Sequence, residues 1–322
     1  MWGVLPSILL IGFLSMLFAE VFAGSSQMWF VNGWGIFFTF PLYLAHVLFF
    51  LWIALKIKKI SLPQLYLFGV IFALYESWIT KVLWAGYLDQ AGPAMGTIAG
   101  IGISEFSILV FFWHSIMSFI VPILVFEILT GQIFKEHSMI LKKSAKKTKF
   151  IILFLILIST FIAMGNKYNL ISTNLSLIGT LLLILGLYYS TKKSNLKVFE
   201  FSKIGFAITT VYLLLLYIGT FFFLLPERIP HTPMPYISII LFYAFCIFII
   251  RKSKRIDTEF QQLEEDHYSI DDLKKFALII IISVNIAVIV PTVSMFILAV
   301  TYFILALTGT ILFISVVYKT LK

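Results

Sequence analysis

Charged residues are scarce in this chain. Asp, Glu, Lys and Arg together make up 12% of its 322 residues, against about 25% in a soluble globular domain. Apolar residues make up 61%, and the mean hydropathy is +1.02. So few charges cannot solvate so much apolar surface. A soluble globular protein is excluded, and lipid must be the solvent for much of the chain. Cysteine is nearly absent, Cys246 being the single one and lying inside an apolar run. That excludes intrachain disulfides, cysteine-based zinc sites and iron–sulfur clusters. There is also no Walker loop, dinucleotide glycine fingerprint, HExxH zincin motif or nucleophile elbow. No metal and no cofactor are expected. The net charge of +9 would suit nucleic acid. The basic residues, however, sit in short loops between apolar runs, so the expected partner is the lipid bilayer and no nucleic acid.

What is present is a series of long apolar runs. About 20 such residues cross a bilayer as a helix. Spans are expected at 4–23, 33–55, 62–85, 103–130, 149–165, 173–190, 204–225, 236–250, 276–292 and 295–318. Val21, Phe22 and Ala23 before Gly24 resemble a signal-peptidase site. Residues 1–5 lack the Lys or Arg of a signal peptide, so the first run is read as a span.

The loops test this count independently. Lys56, Lys58 and Lys59 follow span two. Lys135, Lys142, Lys143, Lys146, Lys147 and Lys149 follow span four. Lys192, Lys193, Lys197 and Lys203 follow span six. Arg251, Lys252, Lys254, Arg255, Lys274 and Lys275 follow span eight, and Lys319 and Lys322 follow span ten. The opposite loops hold only Lys167 and Arg228. Lys and Arg are retained in the cytoplasm. The expected fold is therefore an all-α polytopic transmembrane bundle of about ten spans in the cell membrane, with the N and C termini cytoplasmic.

The ionisable residues at membrane depth are unevenly placed. Glu20, His46, Glu76, Lys81, Glu105, His114 and Glu127 all fall in spans one to four, whereas Asn285 is the most polar deep residue of the rest. This divides the chain into a polar-cluster-bearing half at 1–134 and an apolar supporting half at 135–322. A charge at bilayer depth costs at least about 2.5–3.5 kcal/mol, so it needs a partner or a purpose. Glu76 and His114 are too deep to reach the headgroups easily and are the leading candidates. His46, Lys81, Glu105 and Glu20 complete an outward-facing polar cluster. Glu127 lies close to the Lys-rich side and reads as structural. Gly69, Ala73, Glu76 and Thr80 fall on one stripe of a helix, so a neighbouring backbone can come close to Glu76. Ser107, His114 and Ser118 form a stripe on span four, where Pro122 is expected to kink the helix. Glu76 and Lys81 point about 140° apart on an uninterrupted helix and are not expected to pair.

The largest stretch outside the spans is 251–275, an amphipathic loop on the cytoplasmic side. Ser269 and Asp272 make a capping box that opens a helix. Ile256, Phe260 and Leu263 recur at helical spacing, which predicts a short amphipathic helix. Self-association through 256–275 is the partner reading this allows.

The stretches FGVIFALYESWITKVLW (68–84) and EFSILVFFWHSIMSFIVPILVFEIL (105–129) resemble a family of uncharacterised archaeal and bacterial multi-pass membrane proteins. Over 68–130 they are also similar, in part, to the CAAX-protease (bacteriocin-processing) intramembrane proteins. That family carries Glu-Glu-x-x-x-Arg, Phe-x-x-x-His and His-x-x-x-Asn/Asp motifs, whose acid and histidines hold a catalytic water. Glu76 and Lys81 stand for the first Glu and the Arg, with Ser77 in place of the second Glu. His114 stands for the histidine of the second motif, with Val110 in place of its Phe. The third motif has no counterpart at membrane depth.

Three functions remain in view. One is passage or proton-linked exchange of a small solute or proton through the polar cluster, which needs no enzyme chemistry. One is an intramembrane hydrolase of the CAAX-protease kind. The third is a structural or assembly protein whose polar residues lock helices together.

Overall fold

A computed structural model describes residues 4–87, 92–191 and 194–321; Lys192, Lys193 and Lys322 of the charge pattern lie outside them. The chain is helical almost throughout. In order, its helices are α1 (Val4–Met16), α2 (Phe40–Lys56), α3 (Leu62–Ala73), α4 (Tyr75–Trp78), α5 (Val82–Ala85), α6 (Ile103–Glu105) and α7 (Val121–Thr130). They continue with α8 (Ser138–Leu141), α9 (Ala145–Gly165), α10 (Leu170–Thr191), α11 (Lys203–Phe223), α12 (Met234–Lys252), α13 (Ile270–Ile289) and α14 (Pro291–Leu321). Leu17–Val21, Gly35–Thr39 and Phe106–Ile120 are wound with the wider turn of a π-helix. The strands are short: β1 (Thr97–Ile98) pairs with β2 (Ile101–Gly102), and β3 (Gln132–Phe134) pairs antiparallel with β4 (Phe260–Gln262).

Among the described residues, eight helical stretches are long and apolar enough to cross a membrane. A 21-residue helix such as α11 reaches about 31 Å at 1.5 Å per residue, the thickness of the hydrocarbon core. Large side chains stand uncovered on these helices, including Ile204 at 74%, Phe223 at 87% and Phe296 at 71% exposure. Their number and continuity mark a lipid-facing surface. The molecule is an all-α membrane bundle.

Two of the ten expected spans do not meet that criterion. The run 62–85 is interrupted, because Leu74 ends α3 and Lys81 takes a left-handed conformation (φ +58°) between α4 and α5. The run 276–292 belongs to α13, whose first turns carry Asp271, Asp272, Lys274 and Lys275. Pro291 then opens α14 directly, where its missing N–H costs nothing.

The chain forms two compact units: 1–47, 121–200 and 258–303 in the first; 48–120, 201–257 and 304–322 in the second. In the first unit α1 packs on α10 and α9 on α13. Gly24 is left-handed (φ +71°), and a Cβ there would sit 2.5 Å from the Phe161 carbonyl. Trp29 Nε1 donates to Thr180 Oγ1 at 3.1 Å. Asn285 and Asn174 exchange amide hydrogen bonds of 2.8 and 3.0 Å, which satisfies the deepest polar group of this part.

Where helical spacing over 256–263 predicts a helix, the chain is extended and forms the short strand β4 at Phe260–Gln262. Main-chain pairing of 260–262 with 132–134 outweighs the weak helical stripe, and Leu263 N donates to Gly131 O at 3.0 Å. Phe260 stacks on Phe134 at 4.4 Å, while Leu263 packs against Ile128, Ile133, Leu141 and Tyr268. These apolar side chains are thus packed within the first unit. The capping box at Ser269 forms as expected, with Ser269 N donating to Asp272 Oδ2 at 3.1 Å.

In the second unit α3 lies against the π-helical stretch 106–120. A Cβ on Gly69 would sit 2.6 Å from the Ser115 carbonyl, and Tyr66 donates to the Phe111 carbonyl at 2.7 Å. Phe111 stacks on Phe313 of α14 at 4.3 Å. The π-winding gives way to α-helix at Val121, beside Pro122.

Candidate functional site

Glu76 and His114 meet in the second unit. Glu76 comes from α4, the short turn between the end of α3 and the left-handed Lys81. His114 comes from the π-helical stretch, and the close approach at Gly69 brings the two backbones together. Glu76 Oε1 lies 2.8 Å from His114 Nε2, with side chains 9% and 5% exposed. Thr80 Oγ1 donates to the other Glu76 oxygen, Oε2, and also to the Glu76 carbonyl at 3.0 Å. His114 Nδ1 is 2.8 Å from Ser118 Oγ, and Tyr75 OH is 3.3 Å from Nε2. A continuous chain of exchangeable groups therefore runs Ser118–His114–Glu76–Thr80. Tyr217 and Tyr243 are hydrogen-bonded to one another nearby, and Trp78 bonds to Tyr243.

Two features make this spot unusual for a membrane helix. Broken backbone at membrane depth is tolerated only where protein or a water-filled cavity satisfies it. π-winding is rare and concentrates at functional positions. The chain is broken beside Glu76, and it is π-wound around His114.

Lys81 belongs to the same unit but not to the pair. It is fully buried, and its ammonium donates to the carbonyls of Ile79, Thr220 and Leu224. It also lies 5.6 Å from the Phe221 ring. Lys81 thus caps the carbonyl end of α11, where the helix dipole favours a cation. Glu105 is likewise fully buried. It accepts from Ala94 N and Ser104 Oγ, each at 2.9 Å, and so holds the β1–β2 hairpin region onto α6.

Glu20 and His46 lie in the first unit. Glu20 accepts from Tyr43 OH at 2.5 Å, Ser25 Oγ at 2.7 Å and Ser26 Oγ at 2.6 Å. His46 Nδ1 sits 2.8 Å from the Leu42 carbonyl one turn earlier. The six candidates of the sequence thus fall into one acid–imidazole pair, two buried helix- or loop-holding groups and two residues of the other unit.

The sequence matches an uncharacterised membrane protein family over residues 9–321. The chain belongs to that family. A protein of Archaeoglobus fulgidus, described as an uncharacterised protein, is 43% identical to it over 119 residues. That match covers 37% of each chain, so this chain spans little more than a third of that relative's length. No solved structure matches it.

Sequence reasoning missed three features of this family member. Tyr75 reaches His114 from the position beside Glu76, but an aromatic neighbour is common in an apolar run. Tyr217 and Tyr243 are far away in sequence, and no spacing links them to Glu76. Glu127 has a buried partner: its Oε2 is 2.8 Å from His137 Nδ1, and neither side chain is exposed. The ten-residue spacing across a turn hid that pair. Glu264, Asp266 and His267 also place ligand-type atoms within 4.8 Å of one another. There, however, His267 bonds Ser138 Oγ through Nε2 and accepts from Glu264 N at Nδ1. It serves as a latch for the 263–268 turn.

Proposed function

We propose that this chain is a multi-pass protein of the cell membrane, with both termini cytoplasmic, in which Glu76 and His114 exchange a proton during passage of a small solute. The observation that carries the reading is the 2.8 Å contact between a buried carboxylate and a buried imidazole at a helix interruption. An isolated charge at this depth would cost several kcal/mol. A Glu–His pair avoids most of that cost, because moving the proton between partners leaves the net charge unchanged. Imidazole is also the group best suited to trade protons near neutral pH. Ser118 and Thr80 extend the pair at both ends, so a proton has hydroxyl partners on either side. Interrupted helices recur at the solute sites of membrane transporters for the same reason.

The reading is tested in proteoliposomes carrying an internal pH indicator. The unmutated chain is expected to relax an imposed pH gradient, and Glu76→Gln and His114→Ala to slow that relaxation by about a hundredfold. Equal rates in all three would contradict it.

A second reading is the intramembrane hydrolase. It is favoured by the contact of Glu76 with His114, the two residues that stand for the water-holding acid and histidine. It is weakened by Lys81, whose ammonium is committed to the end of α11, and by the missing third motif. This reading expects cleavage of a membrane peptide that both substitutions abolish, with no effect on pH relaxation.

A further inference from the structure

The loop that leads into α9 combines charge with exposed apolar side chains in one place. Met139 is 81% exposed, Ile140 43% and Phe150 68%. Six lysines lie among them, between 135 and 149. Most are engaged. Lys135 pairs with Glu259 at 3.2 Å, Lys142 with Asp266 at 2.8 Å and Lys143 with Asp272 at 2.5 Å. Lys147 donates to the carbonyls of Met139, Ile140 and Lys142 at 2.8–3.3 Å, which holds α8 in front of α9. Lys146 and Lys149 are exposed and have no acidic partner among the described residues. Lys149 lines a shallow depression of about 630 Å³ with Lys143, Ser144, Ala145, Thr148 and Asp266. Asp266 there is already neutralised by Lys142.

We infer that this surface binds the phosphate headgroup of an anionic membrane lipid. Lys146 and Lys149 would face the phosphate, and Met139, Ile140 and Phe150 the acyl chains. The depth fits. α9 is one of the helices long and apolar enough to cross a membrane and starts at Ala145, which would place α8 and the first turn of α9 at headgroup level. Exposed apolar side chains beside free lysines suit that level, where apolar groups meet acyl chains and ammonium groups meet headgroups. A free phosphate ion would satisfy the lysines but leave Met139, Ile140 and Phe150 uncovered, so the geometry points to the lipid.

The test is native mass spectrometry of the full chain with phosphatidylglycerol and phosphatidylcholine of identical acyl chains. Phosphatidylglycerol is expected to bind about thirtyfold better, the order set by two lysines near an anionic surface. The double variant Lys146→Gln, Lys149→Gln is expected to remove that preference, and excess inorganic phosphate to leave it intact. An unchanged preference in the double variant, or displacement by inorganic phosphate, overturns the proposal. A photoactivatable phosphatidylglycerol provides a check on the unmutated chain. Crosslinks within 139–150 are expected, and crosslinks confined to other segments overturn it.

Discussion

Two buried carboxylate–imidazole pairs can be compared within this molecule. Glu76–His114 and Glu127–His137 have the same 2.8 Å separation. Their surroundings differ. Glu127 uses its second oxygen to accept from Phe134 N at 2.7 Å, and His137 packs edge-on against the Phe134 ring. Phe134 in turn belongs to β3, which pairs with β4. That pair fastens the β3 turn to the end of α7. Glu76 and His114 instead end on the hydroxyls of Thr80 and Ser118, beside a helix break and within π-winding. A buried acid–base pair is therefore not in itself a sign of function. What its remaining atoms bond to separates a clasp from a site: main-chain amides fix a fold, whereas hydroxyls can pass a proton on.

The comparison can be broken in stages. The largest effect is expected at the clasp. Glu127→Ala leaves His137 and the Phe134 amide buried without their acceptor, which should cost about 3–5 kcal/mol, read as a large drop in melting temperature in detergent. Glu76→Gln should do the opposite, leaving the melting temperature almost unchanged while proton exchange falls by about a hundredfold. If the two substitutions lower stability alike, the distinction between clasp and site fails. Gly69→Ala sharpens the geometry, since its Cβ would press on the Ser115 carbonyl. A loss of about 1–3 kcal/mol is expected, together with slower exchange, because α3 and the π-helical stretch must separate. Asn285→Ala acts only on the supporting pair with Asn174. An effect of about 0.6 kcal/mol, typical of hydrogen bonds between membrane helices, is expected, with exchange unaltered.

The smallest effect concerns pH at the Lys-rich loop. Burial would raise the Asp272 carboxyl, but hydrogen bonds from Lys143 and Ser269 outweigh it and hold it below the usual range. The hydrogen bond from Lys142 does the same for Asp266. Both groups are lowered by folding, so their contribution is complete above the unfolded carboxylate range and is lost as pH falls through the lower folded values. Proteolysis within 258–269 should therefore be constant from neutral pH down to the unfolded carboxylate range and rise only under stronger acid. A rise around neutral pH would show that another group controls this loop.

The membrane class and most spans were legible in the sequence, because apolar runs near 20 residues have few alternative uses. Glu76 and His114 could be singled out as candidates because a charge at depth needs an explanation, but nothing in the sequence showed that they meet. The interruption at Lys81 was not legible. A lysine in left-handed conformation has no propensity signature, and the carbonyls that its ammonium caps at the end of α11 lie more than 130 residues away. The π-winding of 106–120 was also hidden, since the apolar pattern there, with Ser107, His114 and Ser118 on one stripe, fits an ordinary period of 3.6 as well. The His114–Ser118 contact survives that change. Ser107, by contrast, lies with its carbonyl against Gly309 of α14. At 256–263 the helical stripe was real in sequence but weaker than strand pairing with a segment about 130 residues earlier, which no local pattern reveals.

The most direct test of the site is whether water reaches it. In a Cys246→Ser background, single cysteines at Thr80 and Ser118 flank the pair, and a membrane-impermeant thiol reagent reads their accessibility in intact cells and in opened membranes. A proton-exchanging site predicts labelling at Thr80→Cys from outside, and at Ser118→Cys from at least one side. No labelling at either position in either preparation would mean a dry, packed cluster and would contradict the account.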